Sequence, residues 1–233
     1  MEELAQAQQA KEDLMHLIFH DMKAPITAVK EVLGMLEPPG GLPARERSQY
    51  LAMARGDLEL LWRRLTNLLD IKRMDAGRYP LDLMPLNLAD LVSETVERLA
   101  PLSKFEGVEL SFKAHAGPRV ISDEDLLERI LSNFILNAVK HAGLNKGKGR
   151  VSLSVGIEQE RARVEVFDNG PGVDPALGEA VFERYVGGAP RKGSTGLGLF
   201  FCRRAAEMLG GRVGFRNQEP GAVFYLELPL GEG

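Results

Sequence analysis

A histidine and an aspartate stand side by side inside a long apolar pattern near the start of the chain. His20 and Asp21 lie between Phe19 and Met22, and Pro25 follows five residues after His20. A neutral imidazole nitrogen is a competent nucleophile toward a phosphoryl group, and an adjacent carboxylate can hold the proton of the other ring nitrogen. His20 is therefore a candidate nucleophile, and Asp21 is the candidate for the group that orients it.

Two other interpretations apply to this pair when it is taken alone. A solvated His-Asp dipeptide on a helix surface needs no chemistry at all. His16 precedes His20 by four residues, a spacing that could hold zinc, but no cysteine or third ligand lies nearby in the sequence. His16 also lacks an acidic neighbour, so it is the weaker candidate for the nucleophile.

A second polar stripe runs along an otherwise apolar helical segment. Asn133, Asn137 and His141 follow one another at intervals of four residues and share one helix face, with Lys140 beside them. An amide oxygen is a hard ligand that suits Mg²⁺, and a lysine can meet a phosphate as a point charge. Ordinary surface polarity is the alternative for this segment alone.

An alternating segment ends in an acid and a glycine turn. Asp168 closes the apolar alternation of a predicted strand, and Gly170 and Gly172 follow it. A carboxylate at a strand end can accept a hydrogen bond from the amino group of an adenine, and the glycines allow the backbone to come close to the ring. A common tight turn would have the same composition.

A second glycine-rich turn opens a predicted helix. Gly193, Thr195, Gly196 and Gly198 precede or begin an apolar helical pattern that continues through Cys202. Glycines at a helix start let backbone amides face an anion, and the helix dipole adds to the attraction. We expect a phosphate there, with the basic glycine-rich segment 185–192 as a lid over a nucleotide.

The elements that must position these residues fall into two groups. Apolar residues recur at steps of three and four over residues 2–37, and again over the segment that follows the proline- and glycine-rich break at 37–43. The two predicted helices form a hairpin whose apolar stripe needs a partner, so we expect a homodimer in which two hairpins make a four-helix bundle. This domain is assigned to residues 1–76.

A linker at 77–85 and a mixed domain at 86–233 are expected to follow. Helices are predicted near 89–104, 123–141 and 197–209, and strands near 108–113, 151–157, 161–167, 211–216 and 222–228. Interleaved strands and helices indicate a sheet with helices on one face, an α/β sandwich, so the fold class of the whole chain is α+β. The boundary near Gly77 is expected to act as a hinge.

Composition excludes several classes of function. The 233 residues carry a net charge of −4 without a basic stripe, so nucleic acid is not expected as a partner. No stretch approaches the roughly 20 apolar residues of a membrane span, so no membrane contact is expected of this segment. The single cysteine, Cys202, lies in an apolar run and is predicted to be buried. The expected location is the reducing cytoplasm. This expectation also holds if the segment is the soluble part of a membrane-anchored or multi-domain sensor.

The four segments, in this order, resemble the catalytic core of sensor histidine kinases over essentially the whole chain. The resemblance implies that ATP phosphorylates His20 and that the phosphoryl group then passes to an aspartate on the receiver domain of a response regulator. It implies Mg²⁺ bound by Asn137 and an adenine contact from Asp168. The nucleotide-binding residues that it implies are Asn133, Asn137, Lys140, His141, Asp168, Gly170, Gly172, Thr195, Gly196, Leu197 and Gly198.

Two other functions remain open at this point. The second domain alone also resembles the gyrase, chaperone and mismatch-repair ATPases, although the hairpin with His20 argues against them. A nucleotide-binding scaffold without phosphotransfer is the other alternative. The sequence also departs from the family in one place: members that dephosphorylate their partner carry Thr or Asn four residues after the histidine, whereas this chain has Ala24, which predicts weak phosphatase activity.

Overall fold

The protein is described by a computed structural model that covers residues 26–27, 29–36, 43–145, 147–183 and 197–231. The chain forms two compact units, one of Met1–Leu69 with Pro190–Thr195 and the other of Asp70–Ala189 with Gly196–Gly233. His20, Asp21, Thr195, Gly196 and the predicted lid lie outside the described residues.

The described part of the first unit is helical. Residues 26–27 and 29–35 belong to a first helix, α1, and a second helix, α2, runs from Ala44 to Asp75. The last six residues of α2 belong to the second unit. Both predicted helices are present within the described residues, while the hairpin that they form, the bundle of two hairpins and the domain boundary after residue 76 stay predictions.

The second unit alternates strands and helices in the predicted order. The structure confirms the three predicted helices and five predicted strands to within two residues at each end. The elements are β1 (Leu83–Asn87), α3 (Leu88–Phe105), β2 (Val108–Ala114), β3 (Arg119–Asp123), α4 (Glu124–Ala142), β4 (Gly149–Glu158), β5 (Arg161–Asp168), α5 (Leu197–Met208), β6 (Arg212–Asn217) and β7 (Ala222–Pro229). Short 3₁₀ turns lie at Gly143–Asn145 and Gly178–Phe182.

Five strands form one sheet in the order β2-β4-β5-β7-β6, in which β2 and β4 are parallel and the other neighbours are antiparallel. The short strands β1 and β3 form a separate antiparallel ribbon that the sequence did not predict. This ribbon begins inside the segment predicted as a linker. The backbone N–H of Asp82 donates to Asp123 Oδ2 over 2.9 Å, which holds the start of the ribbon next to the N-cap of α4.

The core lies between the sheet and its helices. On β5, Ala162, Val164 and Val166 are fully buried and alternate with half-buried residues, as expected when one face is covered by helices. Helix α4 packs on β4 and β5 and contacts α3 and α5. Phe134 of α4 meets Phe224 of β7 with ring centroids 5.8 Å apart. No helix in the described part of the chain is long and apolar enough to cross a bilayer.

Candidate nucleotide-binding site

Asp168 is a buried carboxylate at the end of a central strand. It is the last residue of β5 and only 3% of its surface is exposed. Burial raises the pKa of Asp168 to about 6, and the hydrogen bond that Gly170 N–H donates to Oδ1 over 2.9 Å partly opposes this rise. A carboxylate has lone pairs for more than one donor, so Asp168 can accept a further hydrogen bond from a ligand amine.

The turn after Asp168 is held by the next side chain. Asn169 Nδ2 donates to the Lys148 carbonyl over 2.8 Å, and Asn169 Oδ1 accepts from Arg150 N–H over 2.7 Å. Asn145 Nδ2 donates to the Asn169 carbonyl. An open cavity of about 370 Å³ borders this turn and is lined partly by Asn145, Lys148 and Gly170. The turn is therefore fixed to the start of β4 before any ligand binds.

Gly170 permits a close contact between this turn and α4. A Cβ atom at Gly170 would lie 2.7 Å from Asp168 Oδ1 and 3.0 Å from the Cβ and carbonyl carbon of His141. A methyl group does not fit at these distances, so glycine is needed here by space. The structure thus brings two of the predicted segments together, since the turn after Asp168 touches the end of the helix that carries His141.

The backbone conformation at Gly172 is one that favours glycine. Its φ is +75°, and a Cβ atom there would lie 3.1 Å from Asn217 Oδ1 and from the Gly221 carbonyl oxygen. Asn217 pairs with Val173 in the manner of a strand neighbour, since its amide accepts from Val173 N–H and donates to the Val173 carbonyl, both over 2.8 Å. Sequence reasoning missed Asn217, which lies 44 positions away from its partner.

The start of α5 lies against the other end of the polar stripe on α4. A Cβ atom at Gly198 would lie 3.0 Å from Asn133 Oδ1. Asn133 Nδ2 donates to the Arg129 carbonyl over 2.8 Å, so the amide oxygen is the atom directed toward α5. The second and fourth predicted segments therefore also meet, and the N-terminus of a twelve-residue helix stands beside a hard oxygen ligand.

One face of α4 thus borders both the turn after Asp168 and the N-terminus of α5. Asn133 and His141 are about 12 Å apart along the helix at 1.5 Å per residue. The Asp168 turn contacts the His141 end, and α5 begins at the Asn133 end. Asn137 lies midway and is half-buried, Lys140 is exposed, and Leu197 is buried. The arrangement can hold an elongated ligand with an amine at one end and an anion at the other.

Comparisons with known proteins find similar sequences over most of the chain. Residues 122–232 match the family described as histidine kinase-, DNA gyrase B-, and HSP90-like ATPase. The chain is 29% identical to the alginate biosynthesis sensor protein KinB of Pseudomonas aeruginosa over 91% of this chain and 36% of KinB. It is 31% identical to the signal transduction histidine-protein kinase AfsQ2 of Streptomyces coelicolor over 97% of this chain and 43% of that protein.

A solved structure is similar as well. The crystal structure of full-length ShkA in complex with AMPPNP has a TM-score of 0.66 and 28% identity, over 94% of this chain and 46% of ShkA. The family match is confined to residues 122–232, whereas the similarity to the sensor kinases extends over most of the chain. The chain as a whole is similar to the catalytic cores of sensor histidine kinases, and it spans about two fifths of the length of KinB and AfsQ2.

Proposed function

We propose that this chain uses ATP to phosphorylate His20 and then passes the phosphoryl group to an aspartate of a response regulator. The observation that carries this proposal is the meeting of two separate segments with α4: the Asp168 turn at His141, and the start of α5 at Asn133. The similarity to sensor kinases extends beyond the ATPase domain to the helical segment, which favours a kinase over the gyrase and chaperone branches of the ATPase family.

ATP would lie along α4 with its adenine at the Asp168 end. The carboxylate of Asp168 accepts a hydrogen bond from the adenine amine, and Gly170 and Gly172 let the backbone approach the ring. The phosphates lie at the N-terminus of α5, where Leu197 and Gly198 begin the helix and the dipole attracts negative charge. Thr195 and Gly196 would belong to the same phosphate site, and Lys140 and His141 border the nucleotide.

Mg²⁺ fits the donor set of this face. The described residues contain no group of three or more His, Cys, Asp or Glu side chains able to hold a metal. Amide oxygens are hard ligands, and Mg²⁺ in nucleotide sites is typically held by one or two protein oxygens together with phosphates and water. Asn137, midway between the adenine and phosphate ends, is the proposed ligand, and bound Mg²⁺ would neutralise charge on the phosphates.

The transfer itself needs few protein groups. One ring nitrogen of neutral His20 attacks the γ-phosphorus, a nitrogen–phosphorus bond forms, and the bond from phosphorus to the bridging oxygen breaks to release ADP. Asp21 accepts the hydrogen bond of the other ring nitrogen and stabilises the positive charge that develops. In the second step the phosphoryl group moves from His20 to a carboxylate oxygen of the response regulator.

A homodimer in the cytoplasm is part of the proposal. Leu51 and Leu58 of α2, one heptad apart, are 44% and 50% exposed, and Trp62 is 72% exposed. Apolar side chains at this spacing on one helix favour burial against a second helical hairpin, and a second copy of the chain supplies it.

Incubation with γ-labelled ATP tests the proposed function. We expect acid-labile label on the protein, which His20→Gln abolishes while ATP affinity changes less than twofold, because nucleophile and nucleotide pocket lie in different domains. Label that persists on the variant, for instance on His16, would overturn the assignment. Release of inorganic phosphate without label would indicate an ATPase, and neither product would indicate a scaffold.

A further inference from the structure

The end of α2 packs within the second unit, which carries the proposed ATP site and is called the ATP-binding unit below. Ile71 and Met74 are 1% and 5% exposed, although both lie in the last turn and a half of the helix. The terminal residue Asp75 forms an ion pair with Arg204 of α5, with Oδ1 and Nη2 3.3 Å apart. These contacts belong to the second unit, which begins at Asp70.

Asp70 and Arg129 form an ion pair that is withdrawn from solvent. Arg129 Nη1 lies 2.8 Å from Asp70 Oδ2, and the two side chains are only 17% and 7% exposed. The guanidinium group also lies over the ring of Phe201, with Cζ 4.3 Å from the ring centroid. An ion pair packed this way loses little to solvent screening, unlike pairs on the surface.

Arg129 connects the end of α2 with α4 and α5, the two helices that border the proposed phosphate site. It lies on α4 one turn before Asn133, and its carbonyl accepts the Asn133 amide hydrogen bond. Phe201, beneath the guanidinium, lies on α5 three residues after Gly198. The pair therefore joins α2 to the two helices whose approach creates the contact between Asn133 and Gly198.

Gly77, expected from the sequence to be a hinge, is a helix cap. Its φ is +63°, and Gly77 N–H donates to the Met74 carbonyl over 3.0 Å while Arg78 N–H donates to the Arg73 carbonyl over 2.8 Å. These two bonds define a Schellman motif, the usual ordered end of a helix. The Asp82 N–H bond to Asp123 then holds the following segment at the start of α4. The chain from α2 to β1 is thus tied to the ATP-binding unit.

We propose that Asp70 and Arg129 are positioning residues for phosphoryl transfer, because their ion pair fixes the end of α2 to the helix that carries Asn133. This rests on the proposed function. When the pair is intact, the end of α2 is held against α4 and α5, the two helices that border the proposed phosphate site. Without the ion pair, the end of α2 is no longer fixed to the helices of the nucleotide site. Misplacement of a reacting group by about 1 Å can lower a transfer rate by 10²-fold.

The test uses the full chain with Asp70→Asn, Arg129→Gln and the double variant. Arg98→Gln is the matched control, because Arg98 pairs with Glu128 of α4 at the same 2.8 Å but is 48% exposed and does not involve α2. Two quantities are measured: the autophosphorylation rate at saturating ATP with the Kd of ATP, and the rate of trypsin cleavage after Lys72 and Arg73. The cleavage reports release of the helix end independently of kinase activity.

We expect both single variants to lower the autophosphorylation rate at least tenfold with ATP Kd within threefold, and to raise cleavage at least tenfold. The double variant should lose less than the sum of the two single losses, because both single variants break the Asp70–Arg129 contact, although Asp70 also pairs with Arg73 and Arg129 with Asp125. The double variant also leaves no unpaired buried charge. It can therefore replace a single variant in the test if that variant folds poorly. Arg129→Lys should restore part of the rate, and the control should match the natural chain.

Four outcomes would overturn the positioning role. The first is that the single variants change neither the autophosphorylation rate nor the cleavage, and the second is that their rate loss is matched by an equal rise in the Kd of ATP. The third is that the losses of the two single variants add up in the double variant. The fourth is that Arg98→Gln has the same effect as the Asp70 and Arg129 variants. If the natural chain takes no label from ATP, the proposed function fails. Cleavage at Lys72 and Arg73 would then still decide whether the pair holds the helix end.

Discussion

Asp168→Asn should stabilise the nucleotide-free protein at neutral pH while weakening ATP binding. The pKa of this carboxyl is about 6 in the folded protein and 3.8 in its ordinary environment, chiefly because of burial. A rise of this size corresponds to about 3 kcal/mol at about 1.36 kcal/mol per pH unit. Because the folded pKa is raised, the carboxyl contributes stability at pH below about 4, and this contribution is lost as the pH rises through about 6.

Asparagine has almost the same shape and no charge to desolvate. The variant keeps an oxygen that can accept from Gly170 N–H, although a bond to a neutral acceptor is weaker by about 1 kcal/mol. We therefore expect Asp168→Asn to raise the free energy of unfolding by about 1 to 3 kcal/mol at pH 8 and to leave it nearly unchanged at pH 4. ATP affinity at pH 8 should fall about ten- to hundredfold, because a charge-assisted bond to the adenine amine contributes about 1.5 to 3 kcal/mol.

Calorimetric unfolding of both forms at several pH values between 4 and 8 measures the stability difference, and titration calorimetry measures ATP affinity. The affinity of the natural protein should fall as the pH drops through about 6, and that of the variant should not. Asp174→Asn, which removes an exposed carboxylate from the same loop, controls for the loss of a negative charge. A stability difference that does not change between pH 4 and pH 8 would refute the reasoning.

Three further changes test the site. Asn137→Ala should lower Mg²⁺-dependent transfer at least tenfold while leaving metal-free nucleotide binding within threefold; full activity in a Mg²⁺ titration would remove Asn137 as the ligand. Gly170→Ala should weaken ATP binding at least tenfold, since its Cβ would lie 2.7 Å from Asp168 Oδ1 and 3.0 Å from His141; unchanged titration calorimetry would count against a rigid turn. Ala24→Thr should speed decay of phosphorylated response regulator severalfold with ADP present, without altering autophosphorylation; rapid decay with Ala24 itself would show that another residue acts.

The helices and the five-stranded sheet were predictable because their hydrophobic periods are strong. β5 alternates over its full length, and α4 repeats apolar residues at steps of three and four. The ribbon of β1 and β3 was not predictable in the same way. Its strands have five residues each, β1 contains Pro85, and their burial does not alternate cleanly, so no period identifies them.

Candidate ligand-binding residues are easier to identify from the sequence than the residues that hold them in place. Asp168 and the glycines around it follow one another in the sequence, so spacing alone indicates their chemistry. Asn217 and its partner Val173 are 44 positions apart, and Asp70 and Arg129 are 59 apart. A hydrogen bond between distant segments leaves no periodic signal, so such residues become visible only when the strands and helices are placed in space.

Helix α4 gains a second role from these distant contacts. Its polar face was predicted as a nucleotide site, but its first two turns receive the chain that arrives from α2. Asp123, the N-cap, accepts from Leu126 N–H through Oδ1 and from Asp82 N–H through Oδ2, and Arg129 pairs with Asp70 one and a half turns further on. Because one helix carries both sets of contacts, we expect loss of the Asp70–Arg129 pair to disturb the position of Asn133 as well as the end of α2.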